Sequence, residues 1–227
     1  MKWCRFSTGD GISYGIIEGD NVVEVEGNPF DGYNKTSKNQ PLASVKLEVP
    51  VIPPTFYAAG INYPEHVTWA AKMRGEEPVL PEKADIGYRA INALVPNEHP
   101  IIVPKDATEL VQYEGELVVV IGKECKNVTQ AQALDYVLGY TIGNDVSERT
   151  WQKKDSTFWR AKGSDTFAPV GPWIETDINP QELEILVRLN DEEVQRAHTS
   201  DMLFTFSELV SYISQQVTLH PGDLVFS

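Results

Sequence analysis

Two glutamates separated by one glycine are the residues of this sequence best suited to chemistry. Glu114 and Glu116 precede the apolar run Leu117–Ile121. Side chains two residues apart on a strand point to the same face, about 7 Å apart. Carboxylates that enter a core are costly unless paired or metal-bound, and Mg²⁺, Mn²⁺ and Ca²⁺ take oxygen ligands. The spacing indicates a divalent-metal site; the alternative is an exposed edge strand with both carboxylates in water.

A third carboxylate follows another apolar strand. Asp145 ends the segment Gly139–Val146, and strand ends commonly present functional side chains. With the two glutamates it would complete a facial ligand set that leaves positions open for water and substrate. The alternative is an Asx turn or a helix cap made by Asp145.

A lysine and a histidine are further candidates. Lys162 lies between the aromatic pair Phe158-Trp159 and Gly163, and a lysine near a metal can stabilise a developing enolate. His66 follows Asn62-Tyr63 and titrates near neutral pH, as a general base should. The alternatives are a solvated lysine and a histidine that caps a helix or lies on the surface.

The elements that must position these residues are mostly strands. Residues 28–40 are polar and rich in turn formers, which predicts a loop, and Gly75–Val95 is expected to be a long irregular loop. Predicted strands are Lys2–Phe6, Ile12–Glu18, Val22–Val25, Val45–Ile52, Phe56–Gly60, Glu116–Gly122, Gly139–Val146, Val170–Glu175 and Glu184–Leu189. Predicted helices are Glu65–Arg74, Thr129–Val137, with a capping box from Thr129 and Gln132, and Phe206–Gln216. This pattern predicts a β-dominated α+β fold, with a small N-terminal β domain at 1–52 and a larger domain at 53–227.

Charge and composition exclude several classes of protein. The 227 residues carry a formal net charge of −14, which argues against binding to nucleic acid or to an anionic membrane. The sequence holds no run of about 18 apolar residues that could span a bilayer. Two cysteines form no disulfide framework, so a cytoplasmic location is expected.

Several segments in order resemble the fumarylacetoacetate hydrolase family, from Phe56 to Ser227. The matching segments are Asn62-Tyr63-Pro64-Glu65-His66, Tyr113-Glu114-Gly115-Glu116-Leu117, Asn144-Asp145-Val146-Ser147-Glu148-Arg149, Trp159-Arg160-Ala161-Lys162-Gly163, Pro169-Val170-Gly171-Pro172-Trp173 and Gly222-Asp223-Leu224. The resemblance implies a mixed β-roll, usually a homodimer, in which residues 1–52 form the variable N-terminal domain.

The resemblance also implies a reaction and its residues. Mg²⁺ or Mn²⁺ would be held by Glu114, Glu116 and Asp145, with His66 and Lys162 as catalytic residues and Arg149 and Gln152 as substrate contacts. The substrate would be a small 2-oxo or β-diketo acid, cleaved hydrolytically at a C–C bond through a metal-stabilised enolate. Isomerisation, decarboxylation or an inactive metal-binding homologue are the alternatives.

Three features depart from the common family pattern. Trp69 stands three residues after His66, where many members have glutamate, which favours chemistry without an activated water. The longer segment 77–95 carries Lys83, Asp85, Tyr88 and Arg89, which could alter substrate choice. The sequence ends at Phe226-Ser227, where members continue with a Thr-Gly-Thr-Pro loop, so a C-terminally short catalytic domain is expected.

Overall fold

Strands dominate the regular structure. The computed structural model describes residues 1–9, 11–108 and 110–227, apart from the side chains of Trp69, Ala70, Met73 and Arg74. The strands are β1 (Lys2–Thr8), β2 (Gly11–Glu18), β3 (Asn21–Asn28), β4 (Gly32–Pro41), β5 (Lys46–Glu48), β6 (Phe56–Ala59), β7 (Ile86–Tyr88), β8 (Leu94–Val95), β9 (Val111–Gln112), β10 (Gly115–Ile121), β11 (Val137–Asn144), β12 (Ser147–Glu148), β13 (Ala168–Glu175), β14 (Glu184–Leu189), β15 (Glu192–His198) and β16 (Leu224–Phe226). The helices are α1 (Pro64–Arg74), α2 (Gln130–Ala133), α3 (Arg149–Gln152) and α4 (Phe206–Gln216).

Among the described residues, one mixed sheet of twelve strands organises the chain. Its main path runs β4-β3-β2-β1-β13-β11-β10-β16-β6-β7, with β5 on β1 and β8 on β13. The pairs β16–β6 and β13–β8 are parallel, and the other pairs along this path are antiparallel. The β-dominated α+β fold predicted from the sequence is therefore confirmed.

The hydrophobic core lies on both faces of β10, which is buried along its whole length. On one face, Val119 packs in a cluster with Phe206 and Leu209 of α4. On the other face, Val118 packs in a cluster with Phe226 of β16. Burial on both faces explains the unbroken apolar run of this strand, since neither face meets water.

The N-terminal strands form an antiparallel meander that joins the main sheet where β1 pairs with β13. The loop predicted for residues 28–40 is wrong over most of its length, because β4 pairs with β3 there. Both faces of β4 are largely exposed, so its side chains show no apolar alternation. The strand predicted at Val45–Ile52 shortens to β5. The division into domains at 52/53 stays a prediction.

Two other local predictions need correction. The helix predicted over Thr129–Val137 is only α2 followed by a 3₁₀ turn at Leu134–Tyr136, and the Thr129 hydroxyl donates to the Gln132 side chain instead of capping the backbone. The long irregular loop at Gly75–Val95 contains β7 and β8, which pair with β6 and β13. Both strands are too short to show a side-chain pattern in the sequence, and only their pairing in the structure reveals them.

Two helices match their predicted positions closely. Helix α4 spans the predicted Phe206–Gln216 and begins with a capping box between Thr205 and Glu208. Helix α1 starts one residue before the predicted Glu65, with Pro64 in its first turn, and ends at Gly75 in the left-handed region with φ of 69°. Proline suits the first helical turn and glycine the left-handed cap, so both ends are encoded locally.

Gly143 of β11 leaves room for the ring of Phe226 to pack against the strand. We expect Gly143→Ala to destabilise the fold by about 1–3 kcal/mol, because the added Cβ would lie 2.3 Å from two Phe226 ring carbons. Urea denaturation measures this change. Gly9→Ala is the control, since nothing lies within 4 Å of its Cβ, and it should stay within about 0.5 kcal/mol of wild type. Equal midpoints for all three proteins would contradict the packing described.

Candidate metal and substrate site

Two neighbouring strand ends bring three carboxylates together. Strand β10 pairs with β11 so that Gly115 lies opposite Asn144. The Asn144 Oδ1 accepts a bond from the Glu114 N–H at 2.9 Å, and the Asp145 N–H donates to the Glu114 carbonyl at 2.9 Å. As a result, one carboxylate oxygen each of Glu114, Glu116 and Asp145 lies within 4.8 Å of the others. Sequence reasoning had placed these three residues in one cluster, and the structure brings them together.

Lys162 is embedded in this carboxylate cluster. Its Nζ lies 2.5 Å from Glu114 Oε2 and 2.5 Å from Asp145 Oδ2. Burial disfavours the charged ammonium, but attraction to the two carboxylates outweighs it, so the pKa of Lys162 is raised. Burial likewise opposes ionisation of both carboxyls, yet Lys162 lowers the pKa of Glu114 and of Asp145. These three groups therefore stay charged at neutral pH.

A buried arginine completes the charge balance around Asp145. The Arg89 Nε donates to Asp145 Oδ1 at 3.0 Å, and Nη2 donates to Oδ2 at 2.9 Å. Gly87 leaves space for this guanidinium, because a Cβ there would lie 3.0 Å from Nη1. Only 4 % of the Arg89 side chain is exposed. Arg89 therefore binds the carboxylate cluster and has almost no surface that a substrate could contact. This differs from the expectation that Arg89, in segment 77–95, could alter substrate choice.

Among the described residues, no cationic side chain forms an ion pair with Glu116, unlike Glu114 and Asp145. Its side-chain Oε2 is buried and has no hydrogen-bond partner among the described residues. Burial, followed by repulsion from Asp145 and Glu114, raises its pKa well above the ordinary glutamate value. A divalent cation would supply what this oxygen lacks, and an all-carboxylate donor set suits hard cations such as Mg²⁺ or Mn²⁺. The residues present therefore fit a divalent metal.

A cleft of about 480 Å³ opens onto the cluster. Its lining includes Glu114, Glu116, His66, Arg149 and Tyr63. The His66 Nε2 lies 3.9 Å from Glu114 Oε1. Burial lowers the pKa of His66, opposed by Glu114 and assisted by Arg149, so the imidazole is mainly neutral near pH 7. A neutral imidazole can accept a proton, as a general base must.

The two predicted substrate contacts are linked to each other. The Arg149 Nη1 lies 2.7 Å from Glu114 Oε1 and donates to Gln152 Oε1 at 2.9 Å, while Nε donates to Gln112 Oε1 at 2.8 Å. Arg149 lines the cleft, and Gln152 lies beside the guanidinium. The short helix α3 carries both residues. The side chain of Trp69 lies outside the described residues, so its relation to His66 stays a prediction.

Sequence reasoning missed several residues that hold the site. Asn62 is buried and makes two bonds with Phe204, donating to its carbonyl at 3.1 Å and accepting from its N–H at 2.8 Å. It thereby fixes the start of α1, which carries His66. Asn62 lies within a segment that resembles the family, and that was its only signal. Gln195, on β15, bonds to the backbone of Gly115. It is a polar residue in the middle of a strand and gives no such signal.

Comparison with known proteins agrees with this geometry. The family model described as fumarylacetoacetate (FAA) hydrolase C-terminal matches residues 55–227, and the model described as Rv2993c-like, N-terminal, matches residues 1–50. Protein Rv2993c of Mycobacterium tuberculosis is 39% identical over 237 residues, which cover 100% of this chain and 87% of that protein. The chain belongs to the fumarylacetoacetate hydrolase family and is an enzyme of that family.

Solved structures share the fold over the whole chain. The structure of 5-carboxymethyl-2-hydroxymuconate delta-isomerase from Mycobacterium smegmatis superposes with a TM-score of 0.90 at 40% identity, covering 100% of this chain and 87% of that one. Maleylpyruvate hydrolase from Sphingobium sp. SYK-6, in complex with manganese (II) ion and pyruvate, superposes with a TM-score of 0.79 at 26% identity, covering 100% and 87%. Both isomerases and hydrolases are thus among the structures this chain resembles.

Within the part of the chain that the structure describes, every helix is too short or too polar to span a membrane.

The raised pKa of Glu116 predicts a pH-dependent stability of the metal-free protein. A carboxyl whose pKa rises on folding stabilises the fold below its unfolded pKa of about 4.3, and loses that contribution as pH rises through the folded pKa. Glutamine does not ionise, so Glu116→Gln should not lose stability in this way. In EDTA, its melting temperature should therefore rise relative to that of wild type as pH increases. Differential scanning calorimetry measures this trend.

The exposed Glu82, for which no such burial applies, provides the control. Its Glu82→Gln variant tests whether replacement of an exposed glutamate by glutamine by itself changes the melting temperature. A difference between Glu116→Gln and wild type that did not change with pH would contradict the assignment of a buried Glu116 with a raised pKa.

Proposed function

We propose that this enzyme is divalent-metal-dependent and acts on a small 2-oxo or β-diketo acid. The observation that carries the proposal is the group formed by Glu114, Glu116 and Asp145, whose oxygens lie within 4.8 Å of one another beside an open cleft. Oxygen ligands of this kind suit Mg²⁺ or Mn²⁺. The Sphingobium hydrolase, whose structure holds manganese (II) and pyruvate, supports both the metal class and the substrate class.

The charged side chains around the cleft have complementary tasks. A bound Mg²⁺ or Mn²⁺ would supply Lewis-acid polarisation of adjacent substrate oxygens. Lys162, fixed between Glu114 and Asp145, provides a preorganised positive charge for an oxyanion that develops during the reaction. Arg149 binds the substrate carboxylate, and the bond to Gln152 orients its guanidinium. An enolate beside a carboxylate is the species that this set of charges stabilises.

Hydrolytic cleavage of a C–C bond is the leading reaction. His66, whose lowered pKa favours the neutral imidazole, takes a proton from water, and the hydroxide adds to the carbonyl carbon distant from the carboxylate. The bond between that carbon and the neighbouring carbon of the oxo-acid fragment breaks, and its electron pair passes to this fragment as an enolate. The proton that His66 took from water then goes to the enolate carbon, which gives a carboxylic acid and a 2-oxo acid. The neutral imidazole in the cleft is the feature that supports this reaction.

Isomerisation is the second candidate, and two observations favour it. The Mycobacterium smegmatis structure, at 40% identity, is that of a delta-isomerase, and Trp69 stands where a glutamate would assist water activation. Isomerisation needs only the transfer of a proton between two carbons through the same enolate. Decarboxylation also proceeds through that enolate and stays open as a third outcome.

Metal binding is the first test. Isothermal titration of wild type with Mn²⁺ should show saturable binding, and Glu116→Ala should lose it because one of three ligands is gone. The exposed Glu82→Ala is the matched control and should bind as wild type does. Equal Mn²⁺ affinity in Glu116→Ala and wild type would refute the assigned ligand set.

Turnover separates the two reactions. With Mn²⁺ and an acylpyruvate, release of pyruvate indicates hydrolysis, whereas a change in absorbance without cleavage indicates isomerisation. For hydrolysis, His66→Asn should lower kcat by about 10²- to 10⁴-fold, the usual contribution of a general base. His99→Asn, at an exposed position, should retain full activity. Undiminished pyruvate release by His66→Asn would exclude His66 as the base.

We further propose a cytoplasmic homodimer. Cys4 and Cys125 are buried free thiols, which suits a reducing compartment. Large apolar side chains, among them Ile102, Ile142 and Trp159, are exposed, and a subunit interface would cover such groups. The division into an N-terminal domain at 1–52 and a catalytic domain at 53–227 belongs to the same proposal.

A further inference from the structure

A hairpin outside the main sheet contacts the strand that carries the two glutamates. Strands β14 and β15 pair only with each other among the described residues. The side-chain amide of Gln195 makes two hydrogen bonds with a single residue of β10. Its Nε2 donates to the Gly115 carbonyl at 2.7 Å, and its Oε1 accepts from the Gly115 N–H at 2.9 Å. The residue thus held lies between Glu114 and Glu116.

The two hydrogen-bonding edges of the Glu114–Glu116 segment are bound by different elements. The backbone N–H and carbonyl of Glu114 bond toward β11, to the Asn144 side chain and the Asp145 N–H. In a strand, the next residue turns its N–H and carbonyl to the opposite edge. Those of Gly115 therefore point away from β11, and the carboxamide of Gln195 pairs with them as a neighbouring peptide group would.

The hairpin also packs directly on the glycine. Val187 lies opposite Gln195 in the β14–β15 ladder, and a Cβ on Gly115 would lie 2.3 Å from Val187 Cγ2. Only glycine permits this approach. Glycine is also the residue with the greatest backbone freedom, and rotation about its φ or ψ would turn the two flanking carboxylates relative to each other. A bond that fixes the Gly115 peptide therefore fixes the angle between Glu114 and Glu116.

We propose that Gln195 is a positioning residue that holds Glu114 and Glu116 in the orientation that binds a divalent cation. This inference rests on the proposed function, because it assigns a role toward the same metal site. Gln195 does not touch the carboxylates; it acts through the Gly115 backbone. Residues that orient metal ligands commonly change metal affinity by about 10- to 100-fold when replaced.

The test compares two variants that each remove two hydrogen bonds from this hairpin. Gln195→Met keeps the length of the side chain but loses both bonds to Gly115. The control is Thr199→Val, because the Thr199 hydroxyl accepts from the Leu183 N–H at 3.0 Å and donates to the Leu183 carbonyl at 3.2 Å, at the base of the hairpin. Both variants should lower the melting temperature, so stability alone does not separate them.

Mn²⁺ titration and the electron paramagnetic resonance spectrum of bound Mn²⁺ provide the separating readouts. We expect Gln195→Met to bind Mn²⁺ about 10- to 100-fold more weakly, with a broadened or altered spectrum. Thr199→Val should bind with wild-type affinity and an unchanged spectrum. If Gln195→Met does not fold, Gln195→Asn takes its place, since its carboxamide is one methylene too short to reach both Gly115 atoms, and the same loss is expected.

The possible results distinguish this inference from the proposed function. Wild-type affinity and spectrum in the Gln195 variant, or an equal loss in Thr199→Val, would overturn the positioning role while leaving the metal site intact. Failure of wild type itself to bind Mn²⁺ would overturn the proposed function, and this role with it.

Discussion

The mutual repulsion of three carboxylates at the end of buried strands is the constraint on which the rest of the site depends. Glu114, Glu116 and Asp145 approach within 4.8 Å, in surroundings that exclude most water. Lys162 and Arg89 bond directly to members of this group. A buried charge without such partners costs several kcal/mol. Arg149 also lies 2.7 Å from Glu114, so the fold must bring three cations to this point as well as the three anions.

The sheet order explains how distant segments reach the cluster. Strand β7 follows β6 at one edge of the main sheet and delivers Arg89, whereas Lys162 comes from the segment that precedes β13. Strands β10 and β11 lie between these segments and present the carboxylates. Each edge of the Glu114–Glu116 segment is bound, one by β11 and the other by Gln195. The cluster is thus a property of the sheet and the hairpin together.

The sequence revealed the anions better than it revealed the groups that hold them. Strand alternation places Glu114 and Glu116 on one face without any knowledge of the partner strand. The role of Arg149 rested on the family resemblance alone. That of Lys162 rested mainly on it, since a single cation in a sequence is usually solvated. Arg89 and Gln195 were not predictable, because their partners lie 56 and 80 residues away along the chain. Strand β4 was missed for a related reason: backbone pairing holds it, while its exposed side chains resemble those of a loop.

One carboxylate contacts both cations to which the proposed function assigns substrate roles. Glu114 Oε2 binds Lys162, while Oε1 lies 2.7 Å from Arg149 and 3.9 Å from His66. Glu114 is thus shared by Lys162 and Arg149, the cations that the proposed function assigns to the developing oxyanion and to the substrate carboxylate. Under the proposed function, an anionic substrate that enters the cleft competes with Glu114 for Arg149, and a shift of that carboxylate would also move Lys162. Substrate binding and the geometry of the carboxylate cluster would then be coupled through Glu114, whose strand segment is bound on both edges.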